Sequence, residues 1–162
     1  MRLDDNVNSK VGDWHPSVSN NGDLYFGSLR SEGFGKADLY YSKFENDKYL
    51  NCENLGSTIN TEHDEWDPFI SPDKKYIIFK SNRPGGYGQF DMYISLNVDG
   101  KWTLPKNLGS VINTSIEDDT GDVTPDGKYF IFSRKNEWEF MDMYWIKTDL
   151  INELLDTYNN GN

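Results

Sequence analysis

The chain has 162 residues, enough for one domain with a hydrophobic core of its own. It carries 16 Lys and Arg against 27 Asp and Glu, a net charge of -11, which argues against sequence-blind binding to nucleic acid or an anionic membrane, because phosphate contacts need a basic surface. Apolar residues make up only 36% but aromatic residues 15%, so the chain folds around an aromatic core, and its single cysteine, Cys52, excludes an intrachain disulfide or a thiolate zinc site.

In chain order, the opening MRLDDNVNSK lacks the apolar stretch of a signal peptide. No apolar run approaches the roughly 18 residues of a membrane span, so no membrane insertion is expected. Trp14-His15-Pro16-Ser17-Val18 leads through Asn20-Asn21-Gly22 into Leu24-Tyr25-Phe26, and Asp38-Leu39-Tyr40 follows. From Trp66 the same text returns as WDPFISPDKKYIIF, 52 positions later. Here Phe69-Ile70-Ser71 reads as a first strand and Pro72-Asp73-Lys74 as a turn. Tyr76-Ile77-Ile78-Phe79 reads as a second strand, covered on both faces. Phe90 to Leu96 is a third strand, Asp99-Gly100 a hairpin turn and Lys101-Trp102-Thr103-Leu104 a fourth strand. A third copy runs from Gly121 through Pro125-Asp126-Gly127 to Tyr129-Phe130-Ile131-Phe132 and Asp142-Met143-Tyr144. NLGSTINT at Asn54 and NLGSVINT at Asn107 lie 53 apart, and Leu3, Val7 and Asn8 stand 52 positions before Leu55, Ile59 and Asn60. After Ile146 the pattern stops. Leu150, Ile151, Leu154 and Leu155 recur at helical spacing behind Thr148 and Asp149, which predicts a cap and a short helix over 149–156, then a disordered tail over 157–162.

Four antiparallel strands in a repeat of about 52 residues predict an all-β fold, a β-propeller of four-stranded blades. The blades fall at about 13–58, 65–111 and 118–148 of a single propeller unit. A sandwich would supply similar strands but would not demand one period with matching turn chemistry. Three blades are half of a six-bladed ring. The expectation is therefore a homodimer that completes the ring, or a fragment of a longer chain.

The text from Ser71 to Ser95 resembles the TolB-type, WD-like propeller repeat of bacterial envelope proteins, as found beside OmpA-like domains. Its marks are Ser71-Pro72-Asp73, Ser81-Asn82-Arg83, the Pro84-Gly85-Gly86-Tyr87-Gly88 loop and Asp91-Met92-Tyr93. The first copy departs at Asn20-Asn21-Gly22 and Ser28-Leu29-Arg30, and the third lacks the loop glycines. The resemblance implies a non-enzymatic binding scaffold of the cell envelope, periplasmic, with a protein, peptide or glycan as ligand. It also occurs as the gating propeller of prolyl-oligopeptidase-like enzymes. The alternative is thus a carbohydrate-active or peptidase-accessory propeller. With no export signal in the chain, a cytoplasmic location stays open.

The candidate chemistry is acidic. Asp64, Glu65 and Asp67 precede or open one first strand, Glu117, Asp118 and Asp119 another, and Asp13 and His15 take the same place in the first copy. First strands line a propeller's channel, so these residues are expected to converge at one mouth and to attract a basic ligand. They would also hold a hard cation such as Ca2+, with Asp67 and Asp118 as candidate ligands, though no cofactor is required and no calcium-loop spacing is present. Solvated acidic loops are the structural alternative. Arg30, Arg83 and Arg134 each stand eight residues before Asp38, Asp91 and Asp142, a repeated spacing that predicts arginine-carboxylate pairs fastening the loop between. Phe34, Tyr87 and Trp138 occupy these loops, either as partner contacts or folded over the next blade. No glycine-flanked nucleophilic serine is present, Cys52 reads as a buried or edge thiol, and no carboxylate pair stands out for glycoside hydrolysis.

Overall fold

The computed structural model describes residues 2–159, and these form three blade sheets, all antiparallel, with a separate two-stranded hairpin beside the first and one helix after the third. The first blade contains β1 (Asp13–Val18), β2 (Leu24–Ser28), β3 (Asp38–Ser42), a small hairpin of β4 (Phe44–Glu45) and β5 (Lys48–Tyr49), and β6 (Glu53–Asn54). The second contains β7 (Glu65–Ile70), β8 (Tyr76–Ser81), β9 (Asp91–Val98), β10 (Lys101–Trp102) and β11 (Lys106–Asn107). The third contains β12 (Asp118–Val123), β13 (Tyr129–Lys135) and β14 (Met141–Lys147), after which α1 spans Asp149–Asn159. Each blade runs outward in sequence order, and β7 touches both β1 and β12, so the first strands adjoin along an inner wall.

The turns between first and second strands use left-handed residues where the repeat placed them. Gly22, Lys74 and Gly127 have φ of 89°, 59° and 73°. A hydroxyl at the start of each turn donates to the next polar side chain: Ser19 to Asn21 (2.7 Å), Ser71 to Asp73 (3.0 Å) and Thr124 to Asp126 (2.6 Å). Asp99 and Gly100, at φ of 50° and 80°, make the expected two-residue hairpin. The fourth strand is shorter than expected. Lys101 and Trp102 pair with the end of β9, then the chain leaves and returns as Lys106–Asn107, because Pro105 between them has no N–H for a ladder.

The apolar runs divide by alternation. Ile77, Phe79 and Tyr93 turn toward the first blade and join Tyr25, Leu39, Ile59 and Ile70 in one cluster. Ile78, Met92 and Ile94 turn the other way and join Phe69, Leu108, Ile112, Phe130 and Phe132. Inter-blade packing is therefore the core. Val7, Leu24, Phe26 and Tyr40 form a third cluster on the far face of the first blade. Helix α1 buries Ile151 in the cluster between the second and third blades, and Thr148 accepts its first helical bond from Asn152 N (2.9 Å). The helix extends through residues 157–159, expected as tail, and the rest of that tail lies outside the described residues.

Candidate functional site

Three of the expected channel carboxylates are structural instead. Asp13, Glu65 and Asp118 pair with Arg30 (3.3 Å), Arg83 (3.0 Å) and Arg134 (2.6 Å) of the same blades. Each guanidinium also donates to a carbonyl of the segment entering the blade, at Val7, Ile59 and Ile112. Each lies over two aromatic rings: Phe26 and Tyr40, Phe79 and Tyr93, Phe132 and Tyr144. Glu65 is fully buried and takes further bonds from Thr61 N (2.8 Å), Thr61 Oγ1 (2.7 Å) and Ser81 Oγ (3.0 Å). Burial pushes its carboxyl above the usual range, against the pull of those bonds and of Arg83.

This overturns the expected pairing of the arginines with Asp38, Asp91 and Asp142. Asp38 instead accepts Phe34 N (2.6 Å), Gly35 N (3.0 Å) and Asn54 Nδ2 (2.8 Å), and Asp91 accepts Tyr87 N (2.6 Å), Gly88 N (3.1 Å) and Asn107 Nδ2 (3.0 Å). In the third blade Asn136 Oδ1 accepts Trp138 N (2.9 Å) and Phe140 N (3.0 Å), while its amide donates to Asp142 (3.1 Å). Asp38 and Asp91 in the first two blades and the Asn136 side-chain oxygen in the third hold the loops by backbone N–H groups, and Phe34, Tyr87 and Trp138 stand exposed at the tips.

The inner wall carries a different set of side chains. The first strands bulge between Trp14 and Ser17, Trp66 and Phe69, and Asp119 and Asp122. A bulge re-aims side chains. At its first position His15 and Asp67 adopt φ of 49° and 51°, a conformation uncommon outside glycine. His15, Asp67, Asp119, Ser17, Thr120 and Asp122 thereby line one cleft of about 390 Å3. Lys80 reaches into this wall from β8. Its ammonium meets Asp67 (3.0 Å), Glu117 (3.6 Å) and Asp119. Against Asp67 also lies His15 Nδ1. Burial, then Lys80, lower the His15 pKa, outweighing the opposing pull of Asp119, which favours the neutral imidazole. Beside the cleft, Trp14 and Trp66 meet edge to face at 5.3 Å and form a second hollow with Lys80 and Phe90.

Of the seven expected residues, the structure thus brings His15, Asp67 and Asp119 together. Asp64 is tied at the rim to Asn82 (2.9 Å and 3.3 Å). The candidate Ca2+ ligands Asp67 and Asp118 already face Lys80 and Arg134, and among the described residues no group of three His, Cys, Asp or Glu is placed to hold a metal ion. Sequence reasoning passed over Lys80, while Glu117 stood in the acidic run before the third first strand. The signal for Lys80 was its departure from the repeat, since Gly27 and Ser133 stand opposite the first strand at the same register position.

No protein-family model matches the sequence, and no curated protein does. Among solved structures the chain is similar to TolB from Acinetobacter baumannii, with a TM-score of 0.59 and 15% identity over 88% of this chain and 31% of that one. It is also similar to a protein assigned as a TolB in Agrobacterium tumefaciens, with a TM-score of 0.60 and 16% identity over 88% of this chain and 48% of that one. The chain therefore has the TolB-type propeller fold and spans about a third to a half of the length of these structures.

Proposed function

We propose that the chain is a non-enzymatic binding module of the cell envelope, and that its inner-wall cleft takes a basic peptide segment of a protein partner. The observation that carries this reading is the charge count at the cleft. Asp67, Glu117 and Asp119 surround Lys80, Lys135 reaches Glu117 from the other side (4.0 Å), and Asp122 adds a further carboxylate to the lining, so four carboxylates stand against two lysines. An acidic concavity with low-dielectric walls concentrates cations. The Trp14–Trp66 pair beside it offers flat apolar surface to an arginine or an aromatic side chain. Asp67 and Asp119 are both engaged by Lys80, which favours binding over carboxylate catalysis. The envelope assignment rests on the resemblance of the repeat. Among the described residues no helix is long and apolar enough to cross a membrane.

Calorimetric titration with an Arg/Lys-rich peptide and with its Glu-rich counterpart tests the reading. The basic peptide binds, the acidic one does not, and binding weakens as salt rises. Asp119→Asn and Asp122→Asn each lower affinity about fivefold, as expected for losing about 1 kcal/mol of attraction. Affinity that ignores both salt and these substitutions would overturn it. The tryptophan pair, Trp14 exposed and Trp66 half-buried, supports a second reading, a glycan stacked on Trp14, for which salt-insensitive binding of a neutral oligosaccharide is the signature.

A further inference from the structure

We infer that two copies of this chain join head to tail, the third blade of each covering the first blade of the other, and close a ring of six blades. The internal repeats serve as controls. In the second blade Met92 is 0% and Ile94 2% exposed, because the third blade covers them, whereas the equivalent Met143 and Trp145 are 74% and 64% exposed. At the other end Val18 is 52% exposed where its counterpart Ile70, facing the first blade, is 1% exposed. Each open face carries the residue types that internal junctions bury. On the third blade the apolar face is open as a whole, which marks an interaction surface, whereas on the first blade Val7 already covers Leu24, Phe26 and Tyr40 and Val18 is what stays exposed.

The backbone contacts specify what covers it. Within the chain, Asn60 grips the third strand of the blade before it, accepting from Leu39 N (2.8 Å) and donating to Leu39 O (2.9 Å). Asn113 does the same to Met92 (2.8 Å and 3.0 Å). The equivalent residue of the third blade is Met143, on β14, which is the edge of its sheet. The equivalent asparagine at the start of the chain is Asn8, whose amide donates to Leu3 O (2.6 Å) instead. Asn8 is already built for the grip. Val7 N and Asn8 N bond Asp4 O (3.2 and 3.0 Å) as Ile59 N and Asn60 N bond Gly56 O (3.1 and 2.9 Å). Arg30 holds Val7 O as Arg83 holds Ile59 O. One chain thus carries a grip without a strand and a strand without a grip.

Charge agrees. Arg2, which in the single chain makes an exposed pair with Asp5 (2.9 Å), stands where Asn54 and Asn107 donate to Asp38 and Asp91, so across a head-to-tail junction it faces Asp142 of the other copy. A second copy supplies both missing halves at once. A heterologous contact of this kind closes when its rotation closes and otherwise grows into a filament. The inference is independent of what the cleft binds.

Light scattering on the size-fractionated protein tests it. The expected mass is twice the 18.7 kDa of the chain. Met143→Glu and Val18→Glu, both at exposed positions, each return it to the single-chain mass with an unchanged circular dichroism spectrum. Arg2→Asp and Asp142→Arg each raise the dissociation constant, and the two combined restore it toward the parent value. A parent protein of single-chain mass at micromolar concentration overturns the proposal, as does a mass that climbs without limit. A dimer that Met143→Glu breaks but Val18→Glu leaves intact also overturns it, because the contact would then join two like faces.

Discussion

At the residue scale the arginine clamps set the largest single dependence. Glu65 is fully buried and satisfies Arg83, which is itself stacked over Phe79 and Tyr93 at 5.2 and 4.9 Å. Glu65→Ala leaves that guanidinium buried without its counter-charge, so it is expected to destabilise the fold by about 3–5 kcal/mol in urea denaturation. A loss below about 1 kcal/mol would mean that the ring stacking and the Ile59 carbonyl hold Arg83 unaided. That the arginines matter was legible from their repetition, but their partners were not. The spacing of eight brings Arg83 and Asp91 to one loop, yet Asp91 is consumed by the N–H groups of Tyr87 and Gly88, which lie closer along the chain. Register then delivers the first-strand carboxylate to the arginine, since Glu65 sits opposite Ser81. Pair spacing cannot decide between two acids when the loop backbone competes for one of them.

At the element scale the first strand is the functional unit of the blade. Its bulge converts a strand that would alternate regularly into one that presents His15 and Asp67 to the cleft. In the third blade the proline of His15-Pro16 and Asp67-Pro68 is replaced by Gly121, and a Cβ there would overlap the Ile131 carbonyl of the neighbouring strand. Gly121→Ala therefore forces β12 off β13 and is expected to cost roughly 1–3 kcal/mol. Asp119 and Thr120 would be displaced with it, so affinity for the basic peptide should fall in the same variant. An unchanged melting temperature would show that the bulge yields without strain. The strands and turns of this element were legible because apolar runs and turn residues recur together at one period. The bulge was not, because it inserts residues without altering composition. Lys80 is the same lesson in side-chain terms. A cation within a run of Ile and Phe has a function only once the sheet shows which acids it meets, Asp67, Glu117 and Asp119.

At the scale of the whole molecule, 162 residues suffice for a domain, but a period near 52 divides them into three blades, and among the described residues nothing covers Met143 and Trp145 on the third or Val18 on the first. The core lies between blades rather than within them, so each uncovered face withholds stabilisation that the internal junctions supply. Stability then depends on assembly. A species that associates only when folded gains free energy by mass action, and its melting temperature rises with concentration. The parent protein is expected to melt several degrees higher at the top of a hundredfold concentration series than at its bottom, a shift of the order that about 1–3 kcal/mol produces in a domain of this size. Met143→Glu removes the dependence and holds the melting temperature at its dilute value throughout. The opposite pattern, a concentration-independent parent with a destabilised Met143→Glu variant, would place Met143 in a contact within the chain. Because Met143 is among the most exposed apolar residues described, a stabilising role for it requires a surface from outside the chain. The concentration series measures that surface's contribution directly.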